Sequence, residues 1–411
     1  MGKSEITTGL DMGSGRITCI IAEHDEEIGK IRVLGGAVAA CKGLKGGMVL
    51  NIEETARCVR SVVEAAERKA KTTVTEVYMG VRGAHMQAFD AKGKYSVPRT
   101  DQEITGEDVA SVIENAKAFH IAQGLEILHV IPQKFSLDRL SGISNPIGMH
   151  GALLEVGVHI VLASTPALTN LLKAVSEAGL RVADGPVYTL LAVGELVVTE
   201  RDKDLSCLLL DAGGQTTSMA VYADGCMHFS KELPVGGDNI TRDLVCGLGI
   251  SMAEARMIKE KYGAALTDMT DADQLITVTG LSTQTKKEIR QRELLHYIQP
   301  RVEEIYEMIF GTMQKCAYTS LSGGAILVGG ASLLKGMPEA AKQLLELEQV
   351  RLGSPAPDIL ECPEEYATQT YLGAAALACY PCLKNWQTDL HSYSGRGSAL
   401  KDIWRWAKDL F

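Results

Sequence analysis

The sequence predicts an α/β protein of two related halves facing each other across a cleft, with a small α/β insertion and a C-terminal amphipathic helix. Two glycine-rich hairpin segments two hundred positions apart predict the halves. Strand-like runs around a single helix at 83–162 predict the insertion. The apolar spacing of residues 398–411 predicts the terminal helix.

The first hairpin segment is "TTGLDMGSGRITCIIAEHDEEIGKIRVLGG" (7–36), and the second is "SCLLLDAGGQTTSMAVYADGCMHFSKELPVGG" (206–237). Each reads as an apolar strand, an Asp, a Gly-rich turn, a second alternating strand, another turn, and a third strand ending in Gly-Gly. Asp11 and Asp211 begin the turns. Gly13, Gly15, Gly213 and Gly214 allow tight turns and let backbone approach a phosphate with no Cβ in the way. Ser14, Thr216 and Thr217 add hydroxyl donors. Asp11 and Asp211 stand where facing carboxylates could hold a hydrated magnesium, an ion that keeps several of its waters. Either segment alone reads as an ordinary hairpin turn. Two in matching register point instead to a duplicated phosphate cradle.

Between them, residues 83–162 alternate strand-like runs with one helix predicted at 106–122. After the second hairpin come "SMAEARMIKEKYG" (251–263), with a helical period, and "IQPRVEEIYEMI" (298–309), which sets Arg301 and Glu304 at i, i+3 on one face. "GGAILVGGASLLKGMPE" (323–339) reads as an apolar strand, Gly-Gly and a helix start. Residues 384–397 are polar and glycine-spotted, as a tether is. In the closing stretch Leu400, Ile403, Trp404, Ala407, Leu410 and Phe411 fall on one helical face with Trp406 at its edge. Lys401, Arg405 and Lys408 fall on the other, the composition of a helix lying in a membrane interface. A helix docked on its own domain is the plainer reading of the same spacing.

Composition narrows the function class. A net charge of −10 argues against nonspecific nucleic-acid binding. No apolar run is long enough to span a bilayer, and the N-terminus has no signal-peptide core. Ten cysteines are dispersed, and many of them, such as Cys19, Cys58, Cys207 and Cys316, read as small buried hydrophobes in a reducing, cytoplasmic compartment. "CYPC" (Cys379, Cys382) has no second pair, and no HExxH occurs.

The paired hairpins resemble the actin-like ATPase superfamily, a ribonuclease H-like fold duplicated around a nucleotide cleft. "GGAILVGGASLLKGMPE" looks like that family's adenosine motif and "SMAEARMIKEKYG" like its adenine- and ribose-facing helix. "LPVGGDNITRDLVCGLGISMAEARMIKEKYGAA", "IQPRVEEIYEMI" and "EVYMGVRGAHMQAFDAKGKYSV" are similar to FtsA, the bacterial cell-division family, and the likeness spans essentially the whole chain. It implies ATP and Mg, the metal at Asp11 and Asp211 through water. It implies nucleotide contacts at Gly13, Ser14, Gly15, Arg16, Gly213, Gly214, Gln215, Thr216, Gly237, Lys259, Glu260, Gly329, Gly330 and Ala331.

The implied subdomains are 1–82 with 163–200 and 367–383 (1A), 83–162 (1C), 201–227 with 298–366 (2A) and 228–297 (2B). A linker at 384–397 and a membrane-targeting helix at 398–411 follow. The implied role is a polymer on the cytoplasmic face of the membrane at the septum. It would tether FtsZ, partly through Arg301 and Glu304, and recruit later divisome membrane proteins. A PilM-like scaffold and a small-molecule kinase are the rival readings on this fold. One departure bears on catalysis: Gly185 stands where active relatives carry a side chain that positions water, so hydrolysis is expected to be weak or absent.

Overall fold

The computed structural model describes residues 4–25, 29–269, 273–281, 286–316, 320–383 and 390–391. Its two main sheets have one plan. In the first, Ser4–Met12, Arg16–Asp25 and Lys30–Ala40 form an antiparallel meander. Glu76–Val81 then pairs parallel with Ser4–Met12, and Arg181–Val182 pairs parallel beyond it. In the second, Cys207–Ala212, Thr217–Ala223 and Cys226–Leu233 form the meander. Ala325–Val328 and Val350–Leu352 pair parallel beside it. Strands of the second meander are buried along nearly their whole length, as strands covered on both faces must be.

Helix Ile52–Ala70 covers one face of the first sheet with Val59, Val62, Val63 and Ala66. Its start is fixed by Asn51, whose side chain accepts from the Glu54 amide at 2.9 Å. Two other helices, Thr189–Val197 and Gln369–Leu383, lie between the sheets. From Leu372 to Tyr380 the second has no exposed residue, so it is apolar all round, as a helix inside a core is. Gly9 brings its strand against this helix: a Cβ there would lie 2.0 Å from the Ala374 carbonyl oxygen. The adjacent Thr7 hydroxyl donates to the Ala378 carbonyl at 2.7 Å. Cys379, of the CxxC pair, is buried in the same helix.

The insertion has its own core. Strands Gln87–Ser96, Leu125–Leu137 and Leu153–Ser164 form a sheet packed by helix Gly106–Ala116 through Val109, Val112 and Ile113. This helix stops six residues short of the predicted 122. Past Ala116 the chain turns, and Phe119 meets Phe89 edge-on with ring centres 4.8 Å apart. The insertion reaches the second half through His159, whose Nε2 lies 2.9 Å from Ser230 Oγ and whose Nδ1 lies 2.8 Å from Asp90. His129 Nε2 accepts from the Tyr188 amide at 2.8 Å.

Helices Gly237–Leu248, Met252–Tyr262, Gln291–Met313 and Met337–Leu344 with hairpin Leu275–Thr279/Lys286–Arg290 pack into the second half. Leu390–His391, within the expected tether, pairs antiparallel with Val130 and His129. The expected terminal helix 398–411, with Leu400, Lys401, Ile403, Trp404, Arg405, Trp406, Ala407, Lys408, Leu410 and Phe411, lies outside the described residues. Among the described residues no helix is long and apolar enough to cross a membrane.

Candidate functional site

The two glycine-rich turns close identically. The Gly13 amide donates to the Arg16 carbonyl at 2.9 Å, and the Gly213 amide donates to the Thr216 carbonyl at the same distance. Asp11 pairs with Thr18 across its hairpin, and Asp211 with Ser218 across the other. The Gly13 and Gly213 amides are therefore spent inside the turns. The second turn is also held by the helix that follows: the Gly237 and Asp238 amides donate to the Gly213 and Gly214 carbonyls at 3.0 and 2.6 Å.

A cavity of about 560 Å³ lies between the turns. It falls inside the range of small-molecule sites, roughly 300–1,000 Å³. Gly13, Ser14, Gly15, Arg16, Gly213, Gly214, Thr216, Gly237, Lys259, Glu260, Gly329, Gly330 and Ala331 line it, with Asp11 and Asp211. Gln215 is not in the lining; its side-chain amide reaches Asp238 at 3.4 Å. Thr217 points away, its hydroxyl donating to the Val235 carbonyl at 2.8 Å, because successive strand residues face opposite sides. Gly185 has a left-handed backbone, φ 91°, and is also outside the lining.

Each lining group is placed by the fold. The Lys259 ammonium donates to the Gly237 carbonyl and the Thr241 hydroxyl, both at 2.9 Å, and burial lowers its pKa. Gly329 adopts φ 86°, and a Cβ there would meet Asp211 Oδ1 at 2.4 Å. Only glycine combines that conformation with that approach. The Asp211 Oδ1 atom is buried without a hydrogen-bond partner among the described residues.

The residue that the repeat comparison missed is Arg82. It follows the strand Glu76–Val81, in which Gly80 pairs with Asp11. In the second half Val328 pairs with Asp211, so Gly330 holds the place equivalent to Arg82. Setting "YMGVRGA" against "ILVGGAS" would have exposed the difference. The guanidinium spans the cleft. One terminal nitrogen lies 3.0 Å from each Asp11 oxygen, and the other lies 2.9 Å from Asp211 Oδ2. All three side chains are nearly buried. Burial opposes the Arg82 charge, but Asp11, Asp211 and Glu232 outweigh it and hold its pKa above the ordinary value. Burial likewise raises Asp11, against the pull of Arg82 and with the push of Asp211.

The cradle fits a nucleotide in size and glycine placement, and it sets four cationic side chains, Arg16, Arg82, Arg256 and Lys259, against four carboxylates. The Asp11 and Asp211 carboxylates suit a hydrated Mg in type, but Arg82 engages three of their four oxygens. Among the described residues no cluster of three or more His, Cys, Asp or Glu could hold a metal directly. Arg301 sits elsewhere, on helix Gln291–Met313. It is tied to Asp243 at 2.7 and 3.0 Å and paired with Glu304.

Comparison with known proteins agrees with this architecture. Residues 208–376 match the family model described as "Cell division protein FtsA", and residues 83–162 match that of the "SHS2 domain inserted in FTSA". The chain is 34% identical over 348 residues to the cell division protein FtsA of Neisseria meningitidis, covering 84% of this chain and 83% of that protein. A chain of the PilM–PilN type IV pilus biogenesis complex aligns with a TM-score of 0.64 at 15% identity, over 92% of this chain and 99% of that one. MreB5 of Spiroplasma citri bound to ADP aligns with a TM-score of 0.53 at 10% identity, over 91% and 94%. These likenesses establish an actin-like fold. With the duplicated turns and the inserted subdomain, they place this chain in the FtsA family of bacterial cell-division proteins.

Proposed function

We propose that the cleft binds ATP with its magnesium ion, and that the protein forms a membrane-attached polymer at the division septum that tethers FtsZ and receives later divisome proteins. One observation carries the nucleotide reading: two turns with the same hydrogen bond, two hundred residues apart, face one glycine-lined cavity. The fold neighbour MreB5 was solved with ADP, which supports the same ligand class here. Ser14, Gly15, Arg16, Gly214 and Thr216 would hold the phosphates, Lys259 and Glu260 the ribose side, and Gly329, Gly330 and Ala331 the base side. A bound magnesium would neutralise phosphate charge, and Asp11 and Asp211 are the carboxylates that would face it through its waters.

Gly185 offers no side chain to orient an attacking water, so the nucleotide acts as a structural ligand rather than a fuel. Membrane attachment rests on the sequence of 398–411. Burying each of its large apolar side chains contributes about 1.5–3 kcal/mol, so single helices bind reversibly and a polymer multiplies them. Arg301 and Glu304 remain the proposed FtsZ contact, with Arg301 shared by Asp243.

The test is calorimetry with ATP together with vesicle co-pelleting of full-length protein and of a form lacking 398–411, with purified FtsZ added. Full-length protein should bind ATP and carry FtsZ down with anionic vesicles; the shortened form should bind ATP and stay in the supernatant. Absence of adenine-nucleotide binding would overturn the cleft assignment. Vesicle binding unaffected by the deletion would overturn the anchor.

A further inference from the structure

We propose that Arg82 supplies, from within the protein, the positive charge that two facing carboxylates otherwise draw from a divalent cation, so that nucleotide binding here persists without magnesium. The proposal rests on the nucleotide reading above and concerns what the site asks of the metal.

Asp11 and Asp211 come from opposite halves, line the same cavity and are bridged by Arg82. Two buried carboxylates facing an incoming polyphosphate would repel it, and at short range in a poorly hydrated site that repulsion is large. A cation between them weakens the repulsion by cancelling one of the two negative charges. Arg82 is that cation, bound to both Asp11 oxygens and to one of Asp211 at 2.9–3.0 Å. Its fork is well suited to serve two carboxylates at once, which a single ammonium cannot do as well.

The placement is specific to one half. At the equivalent place in the other half stands Gly330, which leaves the cavity open. Arg82 is held there by the fold. Gly373 of the helix between the sheets lets Arg82 and Asp11 close up, since a Cβ there would lie 2.6 Å from Asp11 Oδ2 and 3.0 Å from Arg82 Nη2. Gly47 packs on the Arg82 backbone, where a Cβ would fall 1.9 Å from the carbonyl oxygen. The Arg82 Nε atom is buried and has no partner among the described residues, so the guanidinium retains unused donor capacity. A hydrated magnesium and the guanidinium compete for the same oxygens, so metal adds less to affinity than in a site with carboxylates alone.

The experiment is calorimetry of ADP and ATP with full-length wild type, R82Q and R82K, each in magnesium and in EDTA. Wild type should change affinity by no more than about threefold between the two conditions, whereas R82Q should lose about tenfold or more in EDTA and regain most of it with magnesium. R82K, able to satisfy one carboxylate, should fall between. Manganese binding to the protein alone, read by electron paramagnetic resonance, should be tighter in R82Q than in wild type, because the carboxylates are released. Loss of wild-type binding in EDTA would overturn the proposal. So would the same magnesium-to-EDTA ratio in R82Q, the result for an arginine that merely clamps the halves. Should R82Q not fold, a wild-type ratio in R82K overturns the shared-fork geometry. Failure of wild type to bind either nucleotide in either condition would instead bring down the cleft reading itself.

Discussion

Glu232 is buried on the strand Cys226–Leu233, takes a hydrogen bond from the Tyr188 hydroxyl at 2.9 Å, and leaves its other oxygen without a partner among the described residues. Burial pushes its pKa up to about 7, against hydrogen bonding from Ser218 and Tyr188 and the pull of Arg82. The unfolded chain releases this proton near pH 4.3, whereas the folded one keeps it to about 7. The folded form therefore binds more protons in between, and stability falls as pH rises through that window and levels off above it. Glu232→Gln should remove this fall, adding about 3 kcal/mol at pH 8 relative to pH 4.5. Chemical denaturation of both proteins across that range checks it; parallel curves would contradict it.

What was legible at this scale followed from local geometry. The turn residues Gly13 and Gly213 were readable because a hairpin's hydrogen bonds come from its own neighbours. Arg82 was not, because it lies 71 positions from Asp11 and reaches it only through the parallel pairing of Glu76–Val81. From the hairpin pattern alone Thr216 and Thr217 were equivalent hydroxyl donors; the family likeness singled out Thr216, and the strand's facing supplies the physical reason, since Thr217 turns to the Val235 carbonyl.

At the scale of elements, the helix Gln369–Leu383 and the strand Ser4–Met12 are joined at a glycine rather than at an interdigitated pair of side chains. By propensity alone, Gly9→Val should stabilise a strand. The contact predicts the reverse, since the new Cβ would run into the Ala374 carbonyl and the Ala378 amide, both backbone. Overpacking of that kind costs about 3 kcal/mol, so the thermal midpoint should drop by several degrees, and nucleotide affinity should drop with it as Asp11 shifts. Calorimetric melting with and without ATP separates the two effects. Element existence was legible throughout the paired hairpins, where alternation and turn residues agree. The insertion's helix was drawn too long because Phe119 carries the period onward while leaving the helix axis to meet Phe89.

At the scale of the whole molecule, the described residues form three packed cores, with the insertion joined to the second half by the buried His159–Ser230 contact. Ser230→Ala leaves a buried imidazole nitrogen without that partner and should cost about 1–3 kcal/mol. Hydrogen exchange should quicken along Leu153–Ser164 while Ser4–Met12 keeps its protection; uniform loss across both would mean that the insertion is not a separable unit. The sequence placed the insertion but not this joint, since nothing in the spacing of His159 and Ser230 marks them as neighbours. The interior helix Gln369–Leu383 has one more consequence, for the order in which the chain is made. Thr7 is made 371 positions before its partner Ala378. Until that helix emerges, the sheet holding Ser4–Met12 lacks its cover on one apolar face, and that face stays available to chaperones while the intervening residues are made. Premature termination anywhere before Gln369 should yield a polypeptide that cells recognise as unfinished and degrade, however complete its earlier strands.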